Sequence, residues 1–94
     1  MLPELEDFRN VVGQAIEIEV DEARVPARID EVKAMNRQPD QERQPFSVVL
    51  VTDVAARVEQ RIFTLHQAEL GSFELFLVPL GPKGEGMAYE AVFA

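Results

Sequence analysis

The apolar residues of the chain recur at two different spacings, and the change comes at Gly13. Before it, Leu5, Phe8 and Val12 lie three and four positions apart, which is the spacing of one face of a helix. Glycine commonly follows the last residue of a helix because it tolerates a left-handed backbone. We therefore predict one short helix over residues 3–12.

Beyond Gly13 the apolar residues alternate with polar ones, as they do in a β-strand with one buried face. In the first such segment Ile16 is followed by Glu17, and Ile18 is followed by Glu19. Segments rich in proline, glycine or charge separate the others, and residues 53–57 are predicted to form a turn or short helical passage. The pattern predicts six strands, at residues 14–20, 24–35, 46–52, 58–66, 73–79 and 87–93.

One helix and six strands without strand–helix–strand alternation indicate a mainly β fold in a single domain, residues 1–94. We expect a small antiparallel β-barrel or sandwich of about six strands with one short N-terminal helix. The second strand is irregular, because the phase set by Ala27 and Ile29 is lost at Val32, which predicts a bulge near residues 30–31. Pro26 lacks an N–H group, which favours an edge position or an unpaired side for this strand.

Two of the predicted strands, 46–52 and 73–79, are apolar on both faces. One face belongs to the core, and the other needs a cover. The N-terminal helix is one candidate cover, and a protein partner is the other, since exposed apolar patches mark association surfaces. The second face forms the candidate interaction surface, which consists of Val49, Val51, Phe76 and Val78.

Composition narrows the function classes. Seventeen acidic and nine basic residues give a net charge of −8, and the basic residues are dispersed, so we expect no nucleic-acid binding. The chain has no cysteine, which excludes disulfides and thiolate metal sites. There is no basic and apolar leader at the N-terminus and no run of ~20 apolar residues. We therefore expect a cytoplasmic protein without membrane insertion.

The only histidine, His66, is the strongest candidate for chemistry, as a general base or a metal ligand with Glu69 nearby. We favour a structural interpretation in which His66 hydrogen-bonds the backbone of the following turn. The segment GPKGEG is interpreted as a hairpin turn, because no helix follows it to make a phosphate loop. A cluster of acidic residues could bind a hard cation such as Ca²⁺, although the solvated face of a strand explains their alternation better. The cluster comprises Glu17, Glu19, Asp21 and Glu22. We accordingly assign no catalytic, cofactor-binding or metal-binding residue.

The C-terminal half, LHQAELGSFELFLVPLGPKGEGMAYEAVFA, resembles the DUF6916 family, a small bacterial domain of unknown function. The resemblance implies an N-terminal helix leading into β-strands and spans most of the chain, but it brings no catalytic residues. It also implies a setting near phage-tail-like or tail-fibre proteins. The matching positions are His66, Leu70, Gly71, Phe73, Leu75, Phe76, Leu77, Pro79, Gly81, Tyr89, Glu90, Ala91, Val92 and Phe93.

Three function classes remain. The first is a non-enzymatic structural or protein-interaction module, an accessory component of a larger bacterial or phage-tail-like assembly, with a protein partner or a second copy on the candidate surface or on a strand edge. The alternative is a small-molecule or lipid-binding β-barrel. An enzyme based on His66 is the third. If the barrel binds no ligand, we expect its interior to be filled by side chains of the strands, namely Phe46, Leu50, Phe63, Leu75 and Phe93.

Overall fold

A computed structural model describes residues 2–53 and 59–93 of the chain. The elements are α1 (Leu5–Arg9), β1 (Ala15–Val20), β2 (Ala23–Ala34), β3 (Phe46–Thr52), β4 (Arg61–Gln67), β5 (Gly71–Lys83) and β6 (Gly86–Phe93). The strands form a closed barrel in the order β1-β2-β3-β6-β5-β4, with every pair antiparallel. The mainly β prediction is confirmed, and of its two forms the structure is the barrel. The turn predicted at 53–57 and the start of the strand predicted at 58–66 fall largely on residues 54–58, which lie outside the described residues.

The barrel interior is filled by the side chains that the strands direct inward. The fully buried ones come from all parts of the sheet, so the core is continuous around the barrel. The interior of a barrel of this size is normally filled by its own side chains. Among the residues expected to fill it, Phe46, Leu50, Phe63 and Leu75 are buried and Phe93 packs against them.

Helix α1 closes one end of the barrel instead of covering its outer surface. The ring of Phe8 is fully buried, and its centroid lies 5.9, 5.8 and 5.5 Å from those of Phe46, Phe73 and Phe93. Two of these three rings, Phe46 and Phe93, stack on each other with centroids 4.3 Å apart. Of the two candidate covers for the outer face, the helix is therefore not the one, because its apolar side chain Phe8 inserts into the core.

The helix is also shorter than the predicted 3–12, and this changes which valine is buried. The Val11 N–H donates to the Phe8 carbonyl (3.0 Å), a tighter i→i−3 bond, so the next inward position comes three residues after Phe8. Val11 is consequently 1% exposed and Val12 46% exposed. The chain then joins the sheet through Gly13, whose N–H donates to the Ile29 carbonyl (2.7 Å).

Strand β2 is not an edge, contrary to one of the two positions predicted for Pro26. It pairs with β1 on one side and with β3 on the other. Pro26 lies one residue beyond the end of the β2–β3 register, where its carbonyl accepts from the Asp53 N–H (3.0 Å) and its missing N–H interrupts no further pairing. The register shifts between Ile29 and Glu31, at the predicted bulge.

The connection from β1 to β2 is a two-residue turn, closed by the Val20–Ala23 pair. Asp21 and Glu22 both have positive φ, 47° and 70°. This is the backbone of the type I′ hairpin turn, whose twist suits adjoining strands but which favours asparagine and glycine. The turn therefore carries local strain.

A charged cluster covers part of the outer surface of β2 and β3. Asp30 accepts a hydrogen bond from the Lys83 ammonium, and the Arg28 guanidinium lies 3.5 Å from the same carboxylate. The Lys83 hydrogen bond, with the charges of Lys83 and Arg28, lowers the pKa of Asp30 below its usual range, against an opposing effect of burial. The cluster joins the tip of the β5–β6 hairpin to β2.

Candidate functional site

Three exposed apolar side chains form a row across the outer surface of β4, β5 and β6. Ile62 and Phe76 are a register pair of β4 and β5, and Phe76 and Val92 border the same groove. Their exposed fractions are 63%, 50% and 58%. Within the part of the chain that the structure describes, no element packs over them. We call Ile62, Phe76 and Val92 the apolar row.

The row overlaps the candidate interaction surface only in part. Phe76 is exposed as the surface requires, but Val51 is 1% exposed, because it lies in the β2–β3 pairing opposite Arg28, near the hairpin tip. Val49 and Val78 are half-buried, and each pairs with Glu90 from opposite sides, so a carboxylate separates them. The four residues thus do not form one continuous apolar surface.

Ile62 and Val92 were missed by the sequence interpretation, although the alternation carried a signal for each. Ile62 precedes the inward Phe63, and Val92 shares the outward phase of Glu90. An isolated apolar residue on a wet face needs no explanation by itself. Only the strand order, which places β4, β5 and β6 side by side, brings these residues together.

His66 lies in a hydrogen-bonded network across three strands. Its Nδ1 is 2.7 Å from the Ser72 Oγ on β5, and its Nε2 is 3.2 Å from the Glu19 Oε1 on β1. The orienting acid is therefore Glu19 and not Glu69. A serine, a histidine and a carboxylate in hydrogen-bond contact are also the components of a hydrolytic triad.

The turn that His66 was predicted to fix is held by its neighbour. Gln67 is buried, and its Oε1 accepts from the N–H groups of Glu69 (2.7 Å) and Leu70 (2.8 Å). Its amide nitrogen donates to the Gln14 Oε1 at 3.2 Å. The structural role predicted for His66 was thus assigned one residue too early. These two N–H groups are therefore already bonded and do not form an oxyanion hole beside Ser72.

Three of the four acids considered for cation binding each lie beside a basic partner of their own. Glu17 contacts Arg24 at 3.3 Å, Glu19 contacts His66, and Asp21 lies 3.7 Å from Arg61. Across residues 2–53 and 59–93, no group of three or more acidic or histidine side chains is arranged to hold a metal ion. In the same residues, no helix is long and apolar enough to cross a membrane.

Comparison with known proteins gives one match. A family model described as "Domain of unknown function (DUF6916)" matches residues 3–93, nearly the whole chain, which confirms the resemblance stated above. No curated protein and no solved structure matches the chain.

Proposed function

Because the chain belongs to the DUF6916 family, whose description assigns no activity, we propose from the geometry that it is a non-enzymatic protein-interaction module. The apolar row on β4, β5 and β6 is the docking surface. One observation carries the proposal: three large apolar side chains from three neighbouring strands stand at least half exposed in one place. Such clustering is typical of association surfaces, whereas exposed apolar residues scattered singly are ordinary.

The alternative of a small-molecule or lipid-binding barrel has less support. A ligand inside the barrel would need an internal cavity, but the inward side chains pack into one continuous core cluster. Native mass spectrometry of the purified protein tests this alternative through the mass of any retained ligand. We expect the mass of the polypeptide alone.

A hydrolytic role for Ser72, His66 and Glu19 also has less support. The three groups lie on the outer wall of the barrel, and the adjacent turn N–H groups already bond Gln67. We expect any turnover of p-nitrophenyl acetate to be unchanged by Ser72→Ala. A Ser72-dependent burst of nitrophenol would refute the non-enzymatic proposal.

The finer form of the proposal is an accessory role in a larger bacterial or phage-tail-like assembly. The test is capture of partners from the native host, with identification by mass spectrometry, by the wild-type protein and by Phe76→Glu and Val92→Glu. The matched control is Val12→Glu, which makes the same change at another exposed valine, beside β1 and β2. We expect one partner to be lost with both row variants and kept with the control, and circular dichroism must show all variants folded.

A partner retained by both row variants would refute the row as the docking surface. Light scattering at several protein concentrations tests the homo-oligomer form of the proposal in the same way. A dimer that dissociates on Phe76→Glu, with no host partner, would identify a second copy as the partner.

A further inference from the structure

The register between β5 and β6 covers only part of the two strands, and we call the stretch where it stops the seam. Their register begins at Val78–Glu90 and runs toward the hairpin. Upstream of Val78, β5 continues in register with β4 only, and beyond Glu90, β6 continues in register with β3 only. A strand paired on one side presents backbone N–H and C=O groups on the other. Two such edges therefore face each other across the seam.

A groove of about 700 Å³ lies along this seam, which is within the range of roughly 300–1,000 Å³ for ligand sites. Its floor includes the inward Phe46 and Leu75, which belong to the core. Its walls include Phe76 and Val92 of the apolar row, and Leu2 of the N-terminal segment. The groove thus joins the exposed row to the core.

The rim of the groove is acidic. Four glutamates border it, against a single basic residue, Arg43. Among the described residues Glu42 and Glu74 form no ion pair, whereas Glu6 pairs with Arg9 at 2.7 Å. The four rim glutamates are Glu4, Glu6, Glu42 and Glu74. An apolar floor with an acidic rim matches an apolar segment that carries basic side chains.

We propose that the groove binds an extended segment of a partner protein in which apolar residues alternate with lysine or arginine. This inference rests on the proposed function and specifies the partner. The two facing strand edges supply backbone hydrogen-bonding groups to an added strand, the mode known as β-augmentation. Alternate side chains of an extended segment point to opposite sides, so apolar ones contact the floor while basic ones reach the rim.

The charge also argues against a second copy as the occupant. Each chain has a net charge of −8, and a symmetric contact at this groove would place one acidic rim against another. Like charges brought together at an interface disfavour association. A basic partner gains attraction from the same rim.

The test is selection of a displayed library of random nine-residue peptides on the immobilised protein, residues 1–94. The affinities of enriched peptides are then measured by fluorescence polarisation. Three variants are compared with wild type: Phe76→Glu, the double variant Glu42→Lys/Glu74→Lys, and the control Val12→Glu. We expect enriched peptides to alternate apolar residues with lysine or arginine. Their affinity should fall at least about tenfold for the first two variants, remain unchanged for the control, and weaken as salt is raised.

Two results would overturn the inference and are distinguishable from failure of the proposed function. Enriched peptides that lack basic residues, or that bind Glu42→Lys/Glu74→Lys as well as wild type, would refute the charge complementarity, although a dependence on Phe76 would leave the docking surface standing. No enrichment, or enrichment insensitive to Phe76→Glu, would refute the groove as a peptide site. If the host partner is also retained by Phe76→Glu, the proposed function fails as well.

Discussion

The two adjacent valines at the end of α1 provide the sharpest test of how the helix closes the barrel. Val11 and Val12 are the same residue type in consecutive positions, yet they are 1% and 46% exposed. Val11→Ala deletes two buried methyl groups, which contribute about 0.8 kcal/mol each by transfer, and leaves a cavity that adds to the loss. We expect a cost of about 2–3 kcal/mol. Val12→Ala removes atoms that already contact water and should cost less than about 0.5 kcal/mol.

Urea denaturation followed by circular dichroism measures the difference. For a domain of this size a slope of ~1.5 kcal/mol per molar urea is reasonable, so Val11→Ala should lower the unfolding midpoint by roughly 1.3–2 M. The midpoint of Val12→Ala should stay close to that of wild type. Equal midpoints for the two variants, or a larger loss for Val12→Ala, would refute the burial of Val11 at the barrel end. Such a result would instead favour the regular helix with Val12 on its buried face.

Three further outcomes follow from the contacts described above. Gln67→Ala removes the acceptor for two turn N–H groups and should cost at least about 1 kcal/mol more than His66→Ala in thermal or urea unfolding; equal costs would contradict its role. Glu22→Gly relieves a positive φ of 70° and should stabilise by about 0.5–1 kcal/mol in the same assays, whereas destabilisation would refute strain in this turn. Asp30→Asn should lower the free energy of unfolding by about 1 kcal/mol or less near neutral pH, because the ionised Asp30 carboxylate, whose pKa is lowered in the folded state, stabilises the fold above pH ~4. This difference from wild type should shrink as the pH falls below that value. A difference independent of pH would show that the Lys83 interaction contributes nothing.

The sequence predicted the kind of elements well because alternation is a local property. In a strand with one buried face, apolar residues recur at every second position of the sequence. The bulge between Ile29 and Glu31 could therefore be located from the change of phase alone. Closure could not be predicted in this way. It depends on the pairing of β1 with β4, strands far apart in the chain.

The candidate site was predicted less well for a related reason. Alternate residues of a strand point to opposite faces of the sheet, and this argument correctly assigned Phe76 to the outer face. Whether outward residues become exposed depends on neighbours in other strands, so Val51 is buried opposite Arg28 while Ile62 and Val92 are not. No local pattern contains that information.

The exchange of roles between His66 and Gln67 shows where a more careful interpretation was available. Phe63, Leu65 and Gln67 share the inward phase of β4, which leaves a polar residue at a core position. A buried amide must find partners, and the following turn is the nearest source of free N–H groups. His66 is in the outward phase, so its partners could only come from neighbouring strands, as Glu19 and Ser72 do.

The end plug and the seam are parts of one arrangement. Phe8 lies against Phe73 of β5 and Phe93 of β6, which belong to the stretches of these strands that do not pair with each other. The same stretches of β5 and β6, residues 74–76 and 91–93, border the groove. A closed barrel otherwise has no free edge to offer a partner. The helix and the stretches of β5 and β6 that do not pair with each other therefore lie together, next to Phe76 and Val92 of the apolar row.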